Sequence, residues 1–417
     1  MKRIGLCFLI LGVLILAACG DDEKEKAPAL DPLAITAENA AQLVELITID
    51  PESDGAGFGY AVSPDGASVA ITTPNGLRIF DLASGTPGDY LITERSFSPT
   101  YIADGSILAV ATDDGISLID LATNTVKATY FAGESVNSPA ISTDGTLVAA
   151  HSVSCSPGWC TTLIQAIDVN TGEKILSLDI EGYVDALVFR PNQSVLAFGI
   201  GRTSSAILGT QRGTDLGPGL LRLVDVRTGE DQLVLEHDEA VYGGIYFSAD
   251  GNRVAYNTMD WSNMNPSPGS GQLHIYDLEK GEEVIATTVG GLTSTLSPDW
   301  TMTHTEKTIM WGSTISFSMN NDEPSVTVIE TGEGVAALGD VSRAAFGPDS
   351  SVVAVTTSDP PAVLLYALPA GDEIVTFPLE NADNMYALRF SEDGKRLALR
   401  WWNDEAQYLT VWSLPSE

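Results

Sequence analysis

Two cysteines flank a turn in Cys155-Ser-Pro-Gly-Trp-Cys160. Outside a reducing compartment such a pair reads most simply as a disulfide closing a small loop. A redox centre would favour Cys-x-x-Cys, and zinc would need further ligands that are not nearby in the sequence. Oxygen ligands are more plentiful. Glu134 with Asn137, Asp185, Asp238 with Glu239, Asp340, and Asp383 with Asn384 each precede a strand-like segment. Carboxylates and amides of this kind suit a hard cation such as calcium, the one cofactor the residues raise. Their spacings differ, however, and with 56 acids in the chain a solvated acidic rim is the competing reading. His151, His237, His274 and His304 are scattered without metal-like spacing, and His274 lies inside a strand pattern, packed or facing the surface. No Gly-x-Ser-x-Gly, His-Glu-x-x-His or phosphate loop is present, so no catalytic motif argues for an enzyme.

The elements that must position these residues come from a repeat. One phrase is an apolar strand, then Ser-Pro-Asp-Gly or a variant, then another apolar strand. Its copies are marked by Asp65, Asp104, Asp144, Asn192, Asp250, Asp299, Asp349 and Asp393, at intervals of 39, 40, 48, 58, 49, 50 and 44 residues. Pro and Asp-Gly at these points make tight turns between antiparallel strands, and the flanking residues alternate accordingly. A second phrase follows each first one, as in Leu77-Arg-Ile-Phe-Asp81, Ile116-Ser-Leu-Ile-Asp120 and Leu273-His-Ile-Tyr-Asp277. Thr171-Gly172, Thr228-Gly229 and Lys280-Gly281 then supply another turn.

These phrases resemble the blades of WD40-like β-propellers, with the Trp-Asp pair relaxed to apolar-Asp and His237 similar to the histidine of the Gly-His pair. The resemblance covers nearly the whole chain after the N-terminal segment. It implies an all-β propeller of four-stranded blades, and the intervals sit at or above the ~40–45-residue WD40 repeat. Eight marks imply eight blades. After the last third-strand phrase, at Leu409 to Trp412, no outer strand follows, whereas residues 43–49 form a strand with no blade of their own. That N-terminal strand is expected to complete the last blade and close the ring. Strand patterning is poor over residues 301–321, so a seven-bladed ring with one decorated blade stays open.

In such propellers the loops between second and third strands share one face with those leading into the first strands. The extra length of this chain concentrates there, in four successive repeats: Cys155 to Cys160, residues 202–219, 260–271 and 307–324. Trp159, Arg202, Arg212, Trp261, Asn263 and Asn265 lie in these stretches, and Trp and Arg are the types that dominate interface energetics. A protein-binding surface is expected, against the alternative that the loops pack on one another. The resemblance also places Glu134, Asp185, Glu239, Asp340 and Asp383 around the central channel. Some propeller lactonases hold calcium in that way, and other propeller lipoproteins assist envelope assembly.

The N-terminus bears on the compartment. Lys2 and Arg3 precede an apolar run over residues 4–18, too short to span a bilayer comfortably, which ends Leu16-Ala17-Ala18-Cys19. Small residues before a cysteine and charges after it resemble the lipobox of bacterial lipoproteins. The resemblance implies a signal peptide at 1–18, lipidation at Cys19, a flexible tether over 19–33 and the propeller over 34–417. An ordinary signal peptide with an incidental cysteine is the alternative. The expected location is the cell envelope, anchored to the membrane by lipid alone. The net charge of −35, with Lys+Arg 21 against Asp+Glu 56, argues against nucleic acid and anionic lipid as partners.

Overall fold

The structure, a computed structural model, describes residues 34–50, 59–102, 105–134, 136, 139–156, 159–201, 219–259, 271–289, 293–296, 298, 302–306, 308–311, 315–318, 326–328, 334–336, 341–391 and 393–415. Each first-phrase turn joins the inner and second strands of a separate antiparallel sheet. The inner strands are Gly59–Val62, Ser96–Tyr101, Ala140–Ile141, Tyr183–Phe189, Ala240–Phe247, Thr293–Leu296, Val341–Phe346 and Asn384–Phe390. Seven of these eight sheets have four strands and the first has three. The sixth carries an inserted hairpin, Thr308–Trp311 with Ile315–Ser318, inside the stretch of poor patterning. That stretch therefore both builds a sheet and decorates it. Cys19 and the tether lie outside the described residues.

Ser, Asp and Gly of the first phrase each do separate work in the turn. In the first sheet the Ser63 hydroxyl donates to the Asp65 carboxylate at 2.6 Å and accepts the Ser68 N–H at 3.0 Å, while Asp65 accepts the Ala67 N–H at 3.0 Å. Ser142 with Asp144, Ser248 with Asp250 and Ser391 with Asp393 repeat the arrangement. Gly66, Gly145, Gly251 and Gly394 take φ of 66–73°, the left-handed region that side chains resist. The aspartate of the second phrase closes the turn between third and outer strands. Asp81 accepts the Ser84 N–H, Asp120 the Thr123 N–H and Asp277 the Lys280 N–H, at 2.8–3.0 Å. The Ser84 hydroxyl together with its N–H for Asp81, and the N–H groups of Thr123 and Lys280 for Asp120 and Asp277, hold the three carboxyls below the usual carboxylate range.

The core is divided into slices between successive sheets. Ala70, Leu77, Leu108 and Val110 pack the first sheet on the second, and Leu118, Tyr130, Val148 and Ile167 pack the second on the third. Ile164, Leu176, Phe198 and Val224 join third to fourth, and Leu221, Leu223, Val241 and Tyr256 join fourth to fifth. The inner strand of the sixth touches those of the fifth and seventh. Val363, Leu365, Leu399 and Trp412 fill the space between seventh and eighth, and Tyr60, Ile71, Leu409 and Val411 that between eighth and first. The sheets thus form a closed ring, the arrangement of a β-propeller.

The closing strand is Val44–Ile49, paired antiparallel with Gln407–Ser413 as the outer strand of the eighth sheet. It carries a bulge at Leu46, between the pairs Glu45↔Trp412 and Ile47↔Val411. Outer strands elsewhere bulge in the same way, at Lys127, Gln232, Val284 and Ile374. The N-terminal strand therefore has the geometry of a native outer strand. Ahead of it, Ile35 and Leu43 are buried between the seventh and eighth sheets, and the Ile35 N–H donates to Gly394 O at 2.9 Å.

The expectation of four strands in every sheet fails in the first. Its outer position is taken by the chain after Asp81, which bridges the third strand only at Phe80↔Pro87 and Leu77↔Ile92. Pro87 has no N–H to give a ladder, and Gly85 turns the chain at φ 68°, so no regular strand forms.

Two groups tie the ring and give testable outcomes. Tyr60, on the inner strand of the first sheet, is buried, and its hydroxyl lies 3.1 Å from Ala387 O and 3.2 Å from Ala398 O of the eighth. Replacing Tyr60 with Phe strands these carbonyls and is expected to lower stability by about 1–2 kcal/mol, read as a shifted urea midpoint at constant slope. His151, on the second strand of the third sheet, is 3% exposed, and burial pushes its pKa down to about 4. The folded value lies below the unfolded one of about 6.5, so the unfolded chain takes up the proton first and stability falls as pH drops from ~6.5 toward ~4. The loss from this residue is roughly 2–4 kcal/mol, and His151→Leu is expected to flatten that part of the stability–pH curve.

Candidate functional sites

The disulfide expected at Cys155 and Cys160 is formed, with Cα atoms 4.1 Å apart. The two residues stand directly opposite each other near the tip of a hairpin built from Leu147–Ser156 and Trp159–Asp168. Each of these strands is ten residues long, whereas the second and third strands of the first two sheets have six. The inner strand beside them pairs only at Val148 and Ala149, so the tip continues past it with Ser154, Cys155 and Ser156 exposed. The outer strand Lys174–Glu181 supports it as far as Thr161↔Glu181. The result is a braced finger with a covalent clasp. Trp159 is its strand residue opposite Ser156. Arg202, Arg212, Trp261, Asn263 and Asn265 lie outside the described residues.

The acidic residues expected around the channel divide. Glu134 follows the outer strand of the second sheet and pairs with Lys174 of the third at 3.8 Å. Asp185 is on the inner strand of the fourth sheet, Glu239 directly precedes that of the fifth, and Asp383 is exposed just ahead of that of the eighth. The Asp383 N–H donates to Trp402 O at 2.9 Å. Asp340 lies outside the described residues. Among the described residues no group of three His, Cys, Asp or Glu side chains is placed to hold a metal.

The fold instead gathers a cluster that sequence spacing hides. His237 ends the outer strand of the fourth sheet, and Tyr256, Thr258, His274 and Glu283 come from the fifth. The rings of His237 and His274 are 4.8 Å apart, and His274 stacks on Tyr256 at 5.0 Å. Glu283 lies 2.6 Å from Nδ1 of His274, so that nitrogen donates to the carboxylate, and Nε2 lies 3.0 Å from the Thr258 hydroxyl. A carboxylate, an imidazole and a hydroxyl in series is the order of an activated nucleophile. Thr258 is only 1% exposed, however, and no substrate carbonyl can reach it, so the chain works as an internal tie across the sheet. The His237 Nε2 lies 2.9 Å from the Tyr256 hydroxyl and extends the tie to the fourth sheet. Burial and the neighbouring His274 lower the His237 pKa, and burial pushes that of the Tyr256 phenol up.

Two open cavities stand out. The larger, about 770 Å³, fills the gap left by the missing outer strand of the first sheet. Of its lining carboxylates Asp65, Asp81 and Asp89, the first two are engaged by turn N–H groups, and Arg78 lies over Tyr90 at 4.7 Å, so it is a by-product of the irregular strand. The second, about 660 Å³, is lined by the inner strands of the fifth, seventh and eighth sheets. Its charged lining residues among those described are Arg343 and Arg389. Sequence reasoning passed over both. The available signal was position: they stand three residues before Phe346 and one before Phe390, in a chain with only 21 basic residues.

Comparison with known proteins finds no protein-family model and no curated relative that matches this sequence. Solved structures do match. An oligogalacturonate lyase in complex with manganese superposes with a TM-score of 0.53 at 13% identity, over 90% of this chain and 98% of that one. Hydrazine synthase of Kuenenia stuttgartiensis superposes with a TM-score of 0.53 at 14% identity, over 87% of this chain and 96% of that one. At such identity the likeness is one of fold, and with the closed ring of sheets it identifies the architecture as a β-propeller.

Proposed function

We propose that this chain is an eight-bladed, WD40-like propeller, lipid-anchored at Cys19 outside the cytoplasm, that acts as a protein-binding module of the cell envelope. The observation that carries the reading is the clasped finger of the third sheet. Binding sites concentrate on long excursions from rigid scaffolds, because the scaffold bears the ordering entropy in advance. A disulfide across a six-residue span, Cys155 to Cys160, removes more of that freedom, by about 2 kcal/mol on the loop-entropy model. Disulfides of this kind persist in oxidising compartments, which supports the extracytoplasmic placement. Trp159, Arg202, Arg212, Trp261, Asn263 and Asn265 are the contact residues of the proposal, on the finger and the neighbouring insertions.

The anchor is tested by fractionation. Cys19→Ala is expected to abolish labelling by radioactive palmitate and to release the chain from the membrane, and a variant that still labels and sediments overturns the lipid anchor. The binding role is tested by crosslinking in the native envelope. A variant in which residues 154–161 are replaced by Asn-Gly, which keeps the buried Thr162 and its bonds to Gly182 and Val184, is expected to stay folded and to lose a discrete crosslinked partner. Recovery of the same partners from both chains overturns the assignment to this face.

A further inference from the structure

We infer that the 660 Å³ cavity between the fifth, seventh and eighth sheets binds a small organic polyanion through Arg343, Arg389 and Arg400. The inference does not rest on the protein-binding reading, because it uses different residues on different strands.

Charge supplies the first argument. In a chain of net charge −35, none of the described residues lining this cavity is an acid, yet two arginines line it and a third lies beside it. Arg400 is on the second strand of the eighth sheet, opposite Ala387 of the cavity wall, with its guanidinium 4.9 Å from the ring centre of Tyr386. Burial lowers the pKa of Arg400 most, Tyr60 and Tyr386 oppose that, and Arg389 and Arg343 are near enough to lower it further. Guanidinium groups gathered in one place focus a positive potential that draws anions to it. Among the described residues no carboxylate forms a salt bridge with Arg389, which is exposed at the cavity wall.

Shape supplies the second. The backbone bulges between Val341 and Arg343 and between Met385 and Ala387, and bulges of this kind re-aim side chains. Tyr386 and Tyr246 line the same cavity and add phenol groups to the guanidinium donors. Tyr246 is 37% exposed, and its ring lies against the backbone of Gly244, where any Cβ would collide with it. A space of about 660 Å³ is in the usual range for small-molecule sites, about 300–1,000 Å³. Guanidinium forks match the oxygens of carboxylate and phosphate alike, and both chemistries are admitted.

The test uses the folded chain from residue 34 onward with two probes, citrate for carboxylates and inorganic pyrophosphate for phosphates. Titration calorimetry at low ionic strength is expected to show one site for at least one probe, with a matching rise in melting temperature. Which probe binds more tightly identifies the chemistry. Arg389→Gln, at an exposed position that folding does not need, is expected to weaken binding about tenfold or more, as is Arg343→Gln. Arg222→Gln, on the third strand of the fourth sheet, is expected to leave it unchanged. Absence of heat and thermal shift with both probes at millimolar concentration overturns the site. So does binding that survives both cavity substitutions, or that is lost equally in Arg222→Gln.

Discussion

Everything in this molecule depends on one pairing, that of Val44–Ile49 with Gln407–Ser413. A ring of sheets has no centre of its own. Each sheet buries its faces only against its two neighbours, so an open ring would expose two apolar faces and a strand edge. The pairing removes all three at once, between residues 360 or more positions apart. Closing so long a loop costs little more entropy than closing one of half the length, since the cost grows only with the logarithm of length. Trp412, 1% exposed and facing the core between seventh and eighth sheets, shows how much packing the closure secures.

Most of this architecture was legible because the repeat encodes turns chemically. Ser, Asp and Gly recur at fixed offsets because each answers a separate backbone need, so they mark sheets even where strand patterning fades. The sixth sheet illustrates this: Leu296-Ser-Pro-Asp299 announced it, although residues 301–321 gave no clear alternation. The aspartate of the second phrase was legible as a resemblance to WD40-like blades, and its role as a turn acceptor is visible only in the folded chain. The first sheet shows the limit. Pro87 breaks its outer strand, a local effect the repeat did not reveal because the repeat marks the inner three strands better than the fourth.

Site residues were less legible, for a geometric reason. Reading along a chain finds neighbours a few positions apart, whereas a propeller creates its neighbourhoods sideways, one repeat against the next. His237 and His274 belong to different repeats and meet only because the fourth and fifth sheets stack. Arg343 and Arg389 are 46 positions apart and flank one cavity for the same reason. The disulfide was the exception. Its two cysteines are close in sequence, and the turn between them is local, so residue types and spacing were enough. The acidic set failed to stand out because acids are everywhere in this chain, whereas arginine, being scarce, carried more information than its number suggested.

The segment ahead of the closing strand has a mechanical meaning. Residues 34–43 do not join any sheet, yet Ile35 and Leu43 are buried between the seventh and eighth sheets, the Ile35 N–H is tied to Gly394, and the Asn39 side chain bonds back to Ala34 O at 2.8 Å. Force arriving at residue 34 from the N-terminal side must first extract this buried knot. Without it, tension would act directly on the rung Val44↔Ser413 and peel the closing strand one pair at a time. The knot acts as the strain relief on a cable, taking the tug before it reaches the joint that keeps the ring shut.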